Sequence, residues 1–536
     1  MPSTTAASAR DRFTLGVLQL GALAVVLAAS PYKQFDLDRY FVPKELVLHV
    51  CAAVGALVWV SKCRRVTITV VDALLAAFLL ESVISAASAI NLWAAERALA
   101  ISISGALLFW VASALRRIGL VRPLLVALAF AVVVGAATSL AQAYGVQTEF
   151  FSLNRAPGGT FGNRNFVAHL CAIGTPLVLL TALTARRGFG SIFGGIAMAV
   201  LAAALVMSRS RAAWLAVLVL AVPTGLLALL TRQRWADGRT LRRLFVMGAT
   251  AAAGVAVAVL LPNRLEWKSE NPYLESATGL VNYKEGSGRG RLVQYENSVR
   301  MTLAHPLFGV GPGNWPVAYP KYASRNDPSM SQEDGLTSNP WPSSDWVAYL
   351  SERGIIGFAL LLLVFLGLLG RAIGELRAGG ARDPERVLTA IALVGTIIAT
   401  AVVGAFDAVL LIAVPTFFVW TLAGALSPPQ LRGLDYGTGI REIGPILVVV
   451  LGAIAIGRSA TEFAAIATYG TSARLGAIQE AAMLDPGNYR IRIKAAQAYL
   501  SRGDCRRARP HALAARSLFP NAAEPRRLVA ACGGGR

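Results

Sequence analysis

Charge is scarce in this chain: Asp, Glu, Lys and Arg together make up 15% of 536 residues. Soluble domains carry about 25%, so a water-exposed globule is excluded. Histidine and cysteine are scarcer, at four and five copies. No CxxC and no Cys/His cluster has metal-ligand spacing, which gives no basis for a structural zinc or any other metal site. The glycines at Gly309, Gly311 and Gly313 are not followed by the Lys-Ser/Thr of a phosphate-binding loop, and Pro312 interrupts them. Acidic residues are the minority, 30 against 51 basic ones. On a soluble chain that excess would suggest nucleic acid; the placement of the basic residues points elsewhere.

What is abundant is apolar, at 55%, and it comes in blocks rather than at amphipathic spacing. Blocks of roughly twenty residues cross about 30 Å of hydrocarbon. The blocks number about 12–13, so the expected fold is all-α, a polytopic integral membrane protein. Residues 387–426 read as a hairpin or a broken helix. The first block lacks a small-residue cleavage site and reads as an anchor. Counted from the N terminus, the basic loops (Lys62–Arg65, Arg116–Arg117, Arg186–Arg187, Arg232–Arg243, Arg371–Arg386) fall on one side, which the positive-inside rule makes cytoplasmic. Four parts follow: membrane helices over 1–261, a large outside loop over 262–345, further membrane helices over 346–459, and an outside tail over 460–536. No cofactor and no nucleic-acid partner is expected; membrane lipids are.

Cys51 and Cys171 fall within spans and Cys63 in a cytoplasmic loop. Cys505 and Cys532 fall in the tail, where disulfides persist if it lies outside. Pro486 and Pro520 stand 34 residues apart, with Ala495, Ala498, Tyr499, Gly503 and Ala508 between them. That is the period of a tetratricopeptide helical pair. So short an array is marginal alone, and the tail is expected to dock on the outside loop or on a protein partner.

The outer ends of the spans hold the polar groups. Arg209 and Arg211 open one span. Arginine at hydrocarbon faces a cavity or partner, or snorkels; Arg211 is assigned a functional role and Arg209 the interface. In the outside loop, Arg291, Tyr295 and Asn297–Arg300 read as an amphipathic helix whose apolar face is Leu292, Val299 and Leu303. Arg289 and Arg291 lie at its N-terminal end, which favours anions. Asn163, Arg164 and Asn165 cap another span. His49, His169 and His511 read as structural, and Asp72, Glu81 and Asp407 as too scattered for a transport path. Guanidinium forks bind two phosphate oxygens, while Trp, Tyr and Asn suit sugar rings. Both at a lipid boundary fit a lipid-linked sugar phosphate.

This ordered set resembles the O-antigen ligase and polymerase superfamily: Thr160–Asn165, Ser210–Ala213, Arg291–Tyr295, His305–Trp315, and "SSDWVAYLSERG" over Ser343–Gly354. The resemblance covers roughly residues 60–425. It implies metal-independent glycosyl transfer on the outer face of a bacterial inner membrane. The donor is a glycan on undecaprenyl pyrophosphate, and the acceptor is lipid A-core or another lipid-linked glycan. It places Arg211 and Arg291 on the pyrophosphate; Arg289, Asn165, Trp346 and His305 are the further candidate substrate-binding residues. The superfamily's acceptor-activating histidine falls on Ser343, which takes no proton near neutral pH. Asp345 and Ser343 are therefore the candidate catalytic positions, with Asp345 as the simplest base and His305 as the substitute. A ligase is the first reading, a polymerase the second, and a non-catalytic assembly protein that lost the histidine the third.

Overall fold

The computed structural model describes residues 7–533 except 34, 36, 62–65, 153–154, 268, 270, 279–285, 325, 332–335, 379–381, 429–433, 437–438 and 473. The basic run Lys62–Arg65, with Cys63, and the middle of the insert between Pro272 and Gly290 lie outside the described residues. Thirteen helices follow the expected spans: α1 (Ala9–Leu27), α2 (Asp38–Val60), α3 (Val70–Ala86), α4 (Leu92–Arg117), α5 (Val121–Ala143), α6 (Arg164–Leu183), α7 (Gly188–Ser208), α8 (Arg211–Leu230), α10 (Gly238–Leu260), α14 (Asp345–Arg377), α15 (Pro384–Gly404), α16 (Ala413–Leu426) and α17 (Gly439–Thr471). A short α9 (Arg232–Trp235) separates α8 from α10, and the outside loop holds α11 (Pro272–Thr278), α12 (Gly286–Ala304) and α13 (Trp315–Ala318).

Among the described residues, ten helices are long and apolar enough to cross a membrane. The remaining three of the thirteen are α1, with Arg10, Asp11 and Arg12 in its first turn, and the short α3 and α16, of 17 and 14 residues. Every residue of α16 is buried; it is surrounded by other helices rather than by lipid, so its length is not set by bilayer thickness. Side-chain caps fix many helix starts by satisfying free N–H groups. Ser8–Asp11 and Thr69–Asp72 form reciprocal capping boxes, and Asn91, Asn163, Asp237, Ser344 and Asp383 cap single helices.

Contacts sort the connections into two sets. On one side, arginines cover the last carbonyls of neighbouring helices: Arg116 donates to Ala425 (2.6 Å), Arg234 to Leu376 (2.8 Å) and Arg243 to Leu183 (2.9 Å). A guanidinium there both satisfies a carbonyl that has no intrahelical partner and complements the negative helix end. On the same side β1 (Val66–Ile68) pairs antiparallel with β2 (Leu434–Tyr436), a small departure from an all-helical chain. The pairing requires the loop before α3 and the loop before α17 to share a side, as the alternation of basic loops also requires.

The opposite side gathers the long loop, the 405–412 segment and the tail. α17 runs unbroken to Thr471, so the boundary expected at 459 falls inside a helix. Beyond it come α18 (Leu475–Leu484), α19 (Tyr489–Leu500), α20 (Cys505–Leu518) and α21 (Ala523–Ala531), which turn at Pro486 and Pro520 as their spacing suggested. The tail docks on its own chain. Ala481, Ala482 and Ile491 share a core with Phe35, Val42, Ala465 and Ile466. Asn521 Nδ2 donates to the Val317 carbonyl (3.4 Å), and Leu336 of the outside loop packs on the outer tail core. Cys505 and Cys532 are free thiols, and the neighbouring Cys505 pushes the Cys532 pKa up to about 11.

Candidate active site

On the outer side α6 begins at Arg164, and its cap residue Asn163 accepts from the Asn165 N–H (3.0 Å). Asn165 and His169, four residues apart, share one helix face. Facing them is Asp407, in the non-helical segment between α15 and α16. Its Oδ2 lies 3.5 Å from Asn165 Nδ2 and 3.8 Å from His169 Nε2, while Oδ1 accepts from the Ala408 N–H (2.9 Å). His169 is fully buried, and among the described residues neither ring nitrogen has a hydrogen-bond partner. The Asp407 side chain keeps 17% of its surface exposed. An imidazole without partners behind a partly accessible carboxylate is uncommon for a purely structural pair. Arg291 on α12 lies near enough for its charge to act on His169.

The expected base, Asp345, is placed differently. It is the first residue of α14 and wholly buried; its two oxygens accept from the Val409 and Leu410 N–H groups at 2.9 Å each. Its carboxylate thus pins the turn that carries Asp407, and no face of it is exposed to a substrate. We expect Asp345→Asn to destabilise the protein by about 1–3 kcal/mol, because an amide NH₂ would meet one of those N–H donors. A thermal melt of the purified variant checks this; an unchanged midpoint would deny the pinning role.

The rest of the "SSDWVAYLSERG" motif is held in the same way. Ser343 donates its N–H to Gln294 Oε1 (2.6 Å), and its carbonyl lies 2.7 Å from the Tyr295 hydroxyl, which is also 2.9 Å from the Ala405 carbonyl. Ser344 caps α14 and donates to the Gly404 carbonyl (3.1 Å), and Trp346 donates from Nε1 to the Ala401 carbonyl (3.0 Å). Glu352 is buried and accepts from the Gly313 and Trp315 N–H groups (2.9 and 3.2 Å). The "HPLFGVGPGNW" turn therefore folds against α14, which is interrupted at Gly354. Gly309 (φ +66°) and Gly354 (φ +64°) meet there: a Cβ on the first would stand 2.3 Å from the Glu352 carbonyl carbon, and one on the second 2.2 Å from the Leu307 carbonyl oxygen. Both positions need glycine for space and for backbone conformation. His305 lies exposed at the end of α12, with no contact to Asp407 or His169 among those described.

α12 is amphipathic as the sequence indicates, and its apolar face points outward. Leu292, Val299 and Leu303 are 52%, 47% and 74% exposed, while Gln294, Asn297, Ser298 and Thr302 are buried. The inward polar groups have partners: Asn297 donates to Asp327 (2.8 Å), and Ser298 Oγ accepts from Trp315 Nε1 (2.9 Å). A helix at the edge of a bilayer can turn its apolar side to lipid, so an apolar stripe does not identify the core face there.

The arginines divide. Arg209, in a left-handed conformation (φ +53°), donates to Ser276 (2.8 Å) and Glu275 (3.0 Å) and lies 4.8 Å over the Trp267 ring; it anchors α11 to α7. Arg164 also covers Trp267, at 5.5 Å. Arg211 is exposed at the first turn of α8, a helix packed on α6 and α15. Arg289 is exposed and Arg291 half-buried on α12. The structure thus brings Asn165, Arg291 and the Ser343–Asp345 segment towards the 405–412 turn, places Arg211 on an adjoining helix start, and leaves His305 aside.

The sequence reading set both Asp407 and His169 aside, the first as too scattered for a transport path and the second as structural. "GAFDAVLL" shows one carboxylate between two apolar runs, and the partner that gives it meaning is 238 residues away (407 − 169). The only local signal was an acid in the unpaired stretch of the 387–426 hairpin.

No curated protein matches the chain at significance. Residues 196–362 match the family model Wzy_C, described as O-antigen ligase, a stretch running from α7 to beyond the interruption of α14. The chain is thus a multi-pass, predominantly helical membrane protein whose residues 196–362 are similar to the O-antigen ligase family.

Proposed function

We propose that the chain is a ligase-type glycosyltransferase that moves a glycan from undecaprenyl pyrophosphate to an acceptor hydroxyl on the outer leaflet of a bacterial inner membrane. The acceptor oxygen attacks the anomeric carbon, the carbon–oxygen bond to pyrophosphate breaks, and its electron pair leaves with the pyrophosphate. The acceptor proton passes to Asp407. Arg211, Arg291 and Arg289 offset the charge that grows on the leaving group, together with the N-terminal ends of α6 and α8, whose free N–H groups favour anions. The single observation that carries this reading is the accessible Asp407 beside the unpartnered His169, on the side of the bundle where these arginines lie. His169 stands 3.8 Å behind the carboxylate that receives the proton. Ser343, in the histidine's place, serves through its backbone, which Gln294 and Tyr295 hold.

Deleting the gene and running surface glycans on a gel tests the reading. We expect lipid A-core without attached polysaccharide, restored by the wild-type gene and not by Asp407→Asn. Core capped with single repeats would mark a polymerase. Unchanged glycans of every kind would overturn both.

A further inference from the structure

A cavity of about 280 Å³ lies where the tail meets the membrane helices, at the outer ends of α2, α4 and α17. That is near the lower end of small-molecule sites. Its lining holds five carboxylates and four guanidiniums (Asp38, Glu45, Glu352, Glu462 and Asp485; Arg97, Arg353, Arg458 and Arg490). The ions are largely spent on one another. Arg97 pairs with Glu45 (2.8 Å) and Asp38 (3.4 Å), and Arg458 with Glu462 (2.6 Å) and Asp485 (2.7 Å). No excess of cation remains for a phosphate, in contrast to the arginine-rich site around Arg211 and Arg291.

Yet some polar atoms in this wall are short of hydrogen bonds. Glu462 Oε2, Arg353 Nη1 and Arg458 Nε are buried and, among the described residues, make no hydrogen bond; the first two have only long ionic contacts, to Arg97 at 3.9 Å and to Glu352 at 3.7 Å. They are one acceptor and two donors. A hydroxyl both gives and accepts, so a hydroxyl-rich ligand answers all three, where a simple anion or cation answers only part. Around them stand apolar faces, Trp93, Trp341, Tyr489 and Phe519. The electron-rich face of an aromatic ring suits the polarised C–H groups of a sugar ring. Trp341 also leads onward: its ring lies 5.3 Å from Phe41 and 6.3 Å from Phe166, and Phe166 lies 6.1 Å from His169. A layer of rings therefore separates the cavity from the Asp407–His169 pair.

We infer that this cavity binds an uncharged segment of the acceptor glycan, with the tail as one wall. The name acceptor rests on the transfer reading above; the glycan-binding site itself does not. Asp485, Asn488, Tyr489 and Phe519 come from the tail, outside the family-matched residues 196–362. The tail is thus a specificity element of this chain, beyond the dock on the outside loop or on a partner that the sequence suggested.

The test uses the full chain in lipid nanodiscs and a defined probe: oligosaccharide released by mild acid from the host's own surface polysaccharide, then dephosphorylated. Binding is read by tryptophan fluorescence, and inorganic pyrophosphate is titrated in parallel. We expect saturable oligosaccharide binding that Thr337→Trp and Ser338→Trp, at the loop side of the cavity, each weaken at least about tenfold. Pyrophosphate binding and the melting midpoint should stay as in the wild type. Asp407→Asn should bind the oligosaccharide normally. No saturable binding by the wild type would overturn the inference. So would wild-type affinity in both tryptophan variants, which would leave the unpartnered atoms to water. Saturable binding weakened by the tryptophans, in a protein that transfers nothing, would retain the glycan site and discard the transfer reading instead.

Discussion

Asp407→Asn is expected to lower the rate of glycan transfer by about 10²–10⁴-fold, the usual contribution of a positioned base, while the protein stays folded. The substitution keeps the side-chain shape. One oxygen can still accept from the Ala408 N–H, so the turn between α15 and α16 survives. What is lost is the site for the acceptor's proton. The contrast with Asp345→Asn is the informative part. Asp345 is fully buried with both oxygens bound to backbone N–H groups, so its variant should lose stability first and activity as a consequence. Asp407→Asn should lose activity at an unchanged melting midpoint. Purified donor and acceptor in a single-turnover assay separate the two. Near-normal transfer by Asp407→Asn would remove it from the chemistry.

Arg291→Ala and Arg211→Ala should each slow transfer by roughly 30- to 1,000-fold, equivalent to about 2–4 kcal/mol of transition-state stabilisation. Pyrophosphate leaves with its bonding electron pair, and the added charge appears where a guanidinium fork can meet two oxygens at once. Lysine at either position should rescue poorly, since a point charge does not replace the fork. Arg209→Ala supplies the control. Its guanidinium is engaged by Ser276, Glu275 and the Trp267 ring, so its loss should loosen α11 and lower the melting midpoint more than the turnover of the protein that remains folded. Turnover near wild type in both Arg291→Ala and Arg211→Ala would refute their assignment to the leaving group.

How far the sequence could be read follows from how local each signal is. Span positions were legible because hydropathy adds up along a continuous segment. The loops' division into two sides was legible because arginines accumulate on one of them, and the structure uses Arg116, Arg234 and Arg243 there to close helix ends. The Pro486 and Pro520 turns were legible from spacing. The apolar stripe of α12 was legible, but not the direction it faces, because the rule that apolar faces point inward assumes water outside. The motif around Asp345 was legible, but nothing in "SSDW" says that the carboxylate turns to Val409 and Leu410. Asp407 and His169 lie far apart in sequence, and so do Arg97 and Glu462, whose 3.9 Å contact joins opposite ends of the chain.

The meeting of Gly309 and Gly354 also bears on genetics. At each position, the space a side chain would need is filled by the main chain of the other segment, and no exchange of side chains elsewhere can vacate space held by main chain. A selection for revertants of an inactive Gly309→Ala or Gly354→Ala strain should therefore return the original codon and few second-site suppressors, unlike a selection on a core leucine, where a neighbour can shrink or grow to compensate. Over longer times the turn and the broken helix are inherited as a unit: recombination between related genes that splits residues 309 and 354 between parents should yield fewer folded chimaeras than a crossover that keeps them together.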